Sequence, residues 1–77
     1  MPPKLPVLKP KEVIAALLRA GFYVHHQRGS HARLLHRTRL DLRVTISVHS
    51  KDVPPSLLKY RILKQADLTE EEFLRLL

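Results

Sequence analysis

Arg28-Gly29-Ser30-His31 limits what this chain can become more than any other stretch. The seven residues before Gly29 (Phe22, Tyr23, Val24, His25, His26, Gln27, Arg28) read as strand. So do the seven beginning at His31 (His31, Ala32, Arg33, Leu34, Leu35, His36, Arg37). Gly29 stands where a tight connection needs positive φ without a Cβ clash, and Ser30 completes the turn. The two runs are therefore predicted to form a β-hairpin, with His31 first on the second strand. At that position the backbone is held by ladder hydrogen bonds while the imidazole stays close to solvent. Arg28 and Arg33 bring guanidinium groups to its side. An imidazole between phosphate-seeking cations suits chemistry on a phosphodiester.

The flanking elements can be read in order. Pro2, Pro3 and Pro6 remove backbone donors, so residues 1–9 read as an extended, proline-rich arm and residues 10–77 as a single domain. Pro10 suits the first position of a helix over residues 10–20, whose face is Val13, Ile14, Leu17 and Leu18. Gly21 should stop it in the left-handed conformation, with Phe22 folding back on Leu17 or Leu18. Strand one is expected over residues 22–27, with Phe22 and Val24 on one face and Tyr23 and His25 on the other. Strand two follows over 31–37, and Thr38-Arg39-Leu40-Asp41 turns the chain. In strand three Val44, Ile46 and Val48 alternate with Arg43, Thr45, Ser47 and His49, the pattern of a half-buried antiparallel strand. After a loop over residues 50–54, Pro55 opens a second helix with Leu58, Ile62, Leu63 and Ala66 as its apolar face. Asp67 closes it where glycine would be more usual. Thr69-Glu70-Glu71-Glu72 is a capping box, with Leu68 and Phe73 as its hydrophobic staple, and starts a short helix over 70–77. The order is α-β-β-β-α with a short C-terminal helix. It describes an α+β fold, a three-stranded antiparallel sheet packed by helices on one face, as in the double-stranded-RNA-binding domain.

Charge points to the partner. Fourteen Lys and Arg against seven Asp and Glu give a formal net charge of +7. The cations are concentrated. From Arg19 to Lys51 there are seven basic residues and one acid, Asp41; from Asp67 onward there are four acids and one base, Arg75. The middle of the chain should face an anion, nucleic acid or an acidic protein. The absence of cysteine removes disulfides, thiolate metal sites and a thiol nucleophile. No apolar run reaches the length of a membrane span and the N-terminus has no signal-peptide core, so a cytoplasmic location without membrane contact is expected.

Five histidines raise the question of a metal, but their spacing does not build a ligand set. His25 and His26 are adjacent on a strand, and no HExxH is present. No metal and no other cofactor is expected. With Gly21 and Gly29 the only glycines, there is no nucleotide-cradling loop. Ser30-His31 has no nearby carboxylate that would make a triad. His25 and His26 read as solvent-facing strand residues. His36, on the face of Ala32 and Leu34, reads as a partly buried ring bonded to backbone.

Several motifs together resemble the HicA family: Gly21-Phe22; Gln27-Arg28-Gly29-Ser30-His31; Val44-Thr45-Ile46-Ser47-Val48-His49; Ile62-Leu63-Lys64-Gln65-Ala66-Asp67-Leu68; and Glu72-Phe73-Leu74. These are small toxins of bacterial and archaeal toxin–antitoxin pairs, also described as YcfA-like. The resemblance runs from about Pro10 to Phe73. The chain departs from the family's usual glycine at Asp67 and its frequent proline at Ser47, both matters of local backbone. The resemblance implies a double-stranded-RNA-binding fold, a ribosome-independent mRNA interferase, and neutralisation by a HicB-type antitoxin. It puts the family's essential histidine on His31.

Elementary chemistry is consistent with that implication. RNA cleavage without metal needs a base for the 2′-hydroxyl proton and positive charge around the crowded phosphorus. His31 is the candidate catalytic base; Arg28, Arg33, Arg43 and Lys51 are candidate phosphate contacts on single-stranded mRNA. His49, on the outward face of strand three, is a candidate acid, set against the plainer reading of a solvent-facing histidine at a strand end. The alternative function is a non-catalytic RNA-binding module of the same fold. Such modules grip duplex phosphates with a lysine cluster at the start of the last main helix. Residues 54–59 here carry only Lys59.

Overall fold

A computed structural model describes residues 5–49 and 51–77. Met1–Lys4, including Pro2 and Pro3 of the expected arm, and Ser50 of the expected loop lie outside the described residues.

The first helix, α1 (Pro10–Arg19), starts where Pro10 needs no N–H, and the Glu12 carboxylate accepts the Lys9 backbone N–H at 3.1 Å. It stops at Gly21, whose φ is +100° and whose N–H donates to Leu18 O at 3.2 Å. Just ahead of α1, Leu8 is buried and exchanges two backbone hydrogen bonds with Val53, tying the extended stretch to the loop before the second main helix.

Three antiparallel strands follow, β1 (Phe22–Arg28), β2 (His31–His36) and β3 (Arg43–Ser47), in the order β1-β2-β3. Gly29 (φ +58°) and Ser30 form a two-residue turn, so Arg28 pairs directly with His31. On one side of the sheet Phe22, Ala32, Leu34, Val44 and Ile46 are buried against Val13 and Leu17 of α1 and the second main helix. Among the described residues no helix packs on the other side.

That second helix, α2, spans residues 55–66. It begins with the α turn Pro55–Leu57, continues as a π-helical segment Leu58–Ile62 and ends as α over Leu63–Ala66. Leu58, Ile62, Leu63 and Ala66 are all buried, as their spacing predicts. The π turn was not foreshadowed. Asp67 takes the left-handed conformation (φ 55°, ψ 46°) expected of the stop. Leu68 N–H reaches Leu63 O at 3.0 Å and Asp67 N–H reaches Lys64 O at 3.3 Å, the paired bonds of a Schellman motif. The capping box forms as written: Thr69 Oγ1 accepts Glu72 N–H at 3.1 Å, and Glu72 Oε1 accepts Thr69 N–H at 3.0 Å. The helix it starts, α3 (Glu70–Leu74), is shorter than expected and buries Phe73 completely. Lys59 on α2 contacts Glu70 on α3 at 3.1 Å, and that carboxylate raises the Lys59 pKa.

His36 closes the hairpin's far end. Its Nδ1 accepts the backbone N–H groups of Thr38 (3.2 Å) and Arg39 (3.0 Å). The ring proton must then sit on Nε2, which donates to Ala20 O at 2.9 Å. One imidazole therefore joins the end of α1, the end of β2 and the turn before β3. Its edge also meets the Phe22 ring at 4.9 Å between centroids.

The two glycines should behave differently. A Cβ on Gly21 would lie 2.8 Å from His36 Nε2, whereas one on Gly29 meets nothing within 4 Å. Gly29→Ala should cost about 1–2 kcal/mol, the left-handed penalty alone. Gly21→Ala should cost more, because the His36 ring must also move. Urea unfolding of the two variants gives the comparison, and equal losses would count against the His36 contact.

Candidate active site

The open face of the sheet is built in cross-strand rows. Arg28, His31 and Ser47 form the row at the hairpin mouth; His26, Arg33 and Thr45 form the next; Tyr23, Leu35 and Arg43 form the third. Regular alternation along β1 would put His26 and Arg28 on the side of Phe22, facing away from His31. They are not there, because the pairing slips by one residue between Val24 and His26. A β-bulge of this kind turns every later side chain of its strand to the other face. It moves His26 and Arg28 beside His31 and Arg33.

The result is a shallow groove lined by His26, Arg28, His31, Arg33 and Thr45. It combines two imidazoles with two guanidinium groups, and all four side chains are exposed. Ser30 Oγ lies 3.3 Å from His31 Nδ1, and among the described residues Nε2 of His31 has no protein partner. Ser30, expected only as a turn residue, thus also orients the ring. His26 and His31 are diagonal neighbours across the antiparallel pair, a spacing of about 7–8 Å. A phosphodiester fits between groups at that separation.

The remaining expected residues are more dispersed. Arg43 is on the same open face but two rows from the hairpin mouth, opposite Leu35. Lys51 is exposed in the loop after β3 and lines no part of the groove. His49 is exposed two residues past the end of β3, where no strand partner holds it beside His31. His26, expected only as a solvent-facing strand residue, lines the groove with His31. His36 is partly buried and bonded to backbone, as its face predicted. Among the described residues no group of three or more His, Asp or Glu side chains comes together. No helix among them is long and apolar enough to cross a membrane.

A second cavity borders His31 on its other side. It wraps the free edge of β3 and reaches α2, with Thr45, Ser47, Arg61 and Gln65 as its polar lining. Gln65 is fixed there, since its Oε1 accepts the outward Thr45 N–H at 3.2 Å and covers that edge of the sheet.

None of the curated proteins compared with the chain matches it. The family model described as "HicA toxin of bacterial toxin-antitoxin" matches residues 10–68, which span α1, the sheet, both cavities and α2. With that match over most of its length, on the fold and motifs described above, the chain belongs to the HicA toxin family.

Proposed function

We propose that this toxin is an endoribonuclease that cuts mRNA by transesterification at His31 and is held silent by a HicB-type antitoxin. The observation that carries the reading is the groove in which His26, Arg28, His31 and Arg33 converge. His31 Nε2 takes the proton of a 2′-hydroxyl. The 2′ oxygen bonds to phosphorus while Arg28 and Arg33 neutralise the charge that builds on the phosphoryl oxygens. The bond from phosphorus to the 5′ oxygen breaks, leaving a 2′,3′-cyclic phosphate and a 5′-hydroxyl. The departing oxygen takes a proton from His26 in its imidazolium form. His26 is better situated for this than His49, because it faces the same groove. With base, acid and charge all supplied by side chains, no metal is required.

His31→Ala should abolish cleavage of a long mRNA while changing stability by only about 0.5 kcal/mol, since the position is exposed. Wild-type cleavage should persist in excess EDTA and yield the cyclic phosphate. An alanine variant as fast as wild type would remove His31 as base; loss in EDTA restored by magnesium or zinc would replace the mechanism.

The role of His26 has its own test. His26→Ala should lose roughly 100-fold or more in rate on ordinary RNA, the usual scale of general acid catalysis. On RNA with sulfur in place of the bridging 5′ oxygen, a leaving group that needs no proton, most of that loss should disappear. His31→Ala should stay inactive on the same substrate. A His26→Ala defect of equal size on both substrates means that His26 is not the acid.

Silencing follows from the same face. An acidic antitoxin surface over the hairpin would compete with RNA for Arg28 and Arg33, and electrostatic steering would make its association fast and salt-sensitive. Hydrogen exchange with a HicB-type antitoxin should show protection around Arg28 and His31, with α3 (Glu70–Leu74) little changed. Protection confined to α3 would mean inhibition at a distance.

A further inference from the structure

The second cavity has a composition unlike that of the groove. Its volume is about 480 Å³. Ile46, Val53, Leu57 and Ile62 form its apolar wall, and Thr45, Ser47, Arg61 and Gln65 bring polar groups to the rim. An apolar recess with a few polar groups at fixed positions is the usual make-up of a small-molecule site. His31 lines both spaces, so a ligand in the cavity lies directly beside whatever is bonded in the groove.

Its polar groups are biased toward donation. Arg61 has only donors, and among the described residues it makes no ion pair. Gln65 Oε1 is already occupied by Thr45 N–H, so what the amide offers a ligand is its NH₂. Leu57, Arg61 and Gln65 recur every fourth residue along α2, which carries them on one face of the helix toward the cavity.

We propose that this cavity is a nucleobase subsite, selective for guanine, which holds a base flanking the scissile phosphate. The assignment rests on reading the chain as an RNA-cutting toxin and adds to it the determinant of where the strand is cut. Guanine presents two adjacent acceptors, O6 and N7, to the two donor side chains. Adenine presents N7 beside an amino donor, which would face the Gln65 NH₂ and the Arg61 guanidinium donor to donor. Setting positioned donors against a donor edge rejects the wrong base more strongly than shape alone.

The test reads binding, so it can fail separately from catalysis. Amide shifts of isotope-labelled His31→Ala protein would be followed during titration with guanosine 3′-monophosphate and adenosine 3′-monophosphate. The guanosine nucleotide should move Thr45 and Gln65 and bind at least five-fold more tightly than the adenosine nucleotide. Gln65→Glu keeps an oxygen for Thr45 N–H but replaces the donor with an acceptor, so it should erase or reverse that ratio. Arg61→Ala should reduce it. Equal binding of the two nucleotides, with shifts confined to Arg28 and Arg33, would mean that phosphate alone is recognised and would overturn the subsite. So would a guanine preference that survives both substitutions. Neither result would bear on whether His31 cuts RNA. If wild-type protein cuts, the same substitutions should change the base found beside the cut, read as a ratio between sites that a general loss of rate does not move.

Discussion

The pairing of Arg28 with His31 across a two-residue turn fixes the register of β1 against β2, and the open face depends on that register. Gly29 makes the turn possible by accepting φ +58°. The bulge before His26 then decides which side chains share the face. With Phe22 kept on the helix-packed side and no bulge, regular alternation would set His25 and Gln27 beside Arg33 and His31, with His26 and Arg28 on the helix-packed side. Burying an imidazole and a guanidinium there would cost far more than the one ladder bond that a bulge gives up. The bulge therefore serves core and site together. It keeps charge out of the core and collects it where an anion can reach.

Collecting charge has a cost that the fold leaves in place. Arg39 is paired with Asp41 and Asp67, and Lys59 with Glu70. Those pairs are exposed or at the periphery, and such contacts are worth little. Among the described residues Arg28, Arg33 and Arg43 have no carboxylate partner, so the open face repels itself. Stability comes instead from the other side of the sheet, where Phe22, Leu34, Val44, Leu58 and Phe73 are almost wholly buried. A small domain that devotes one sheet face to packing and the other to unneutralised cations is inherently receptive to a polyanion or an acidic protein.

Where the backbone obeys local rules, the residues announce it. Gly21 and Asp67 mark two left-handed stops, the period-two run of Val44 and Ile46 marks β3, and Thr69 with Glu72 marks the start of α3. The bulge leaves no such mark. Beyond Val24 the strand is His25, His26, Gln27 and Arg28, all polar, so no apolar alternation is present to be broken. His26 was consequently hidden even though its neighbour Arg28 was not. The π turn in α2 is equally silent, because Leu58, Ile62 and Ala66 keep a four-residue rhythm through it. Arg61 and Gln65 join the site through packing of α2 on the edge of β3, a contact between residues about twenty apart in the chain that no local pattern encodes.

The two best-defined histidines show how hydrogen-bond saturation separates structure from chemistry. His36 has both ring nitrogens committed, Nδ1 to two backbone N–H groups and Nε2 to Ala20 O. It has no lone pair or proton to exchange with a ligand, and Gly21 is kept without a side chain so that the ring can sit where it does. Among the described residues His31 makes one side-chain hydrogen bond, between Nδ1 and the Ser30 hydroxyl, and its ring lines the groove. The same side chain, five residues away on the same strand, is thus a fixed joint in one position and, in the proposed mechanism, the base in the other. The difference lies in how many partners the backbone provides, since the imidazoles are chemically identical.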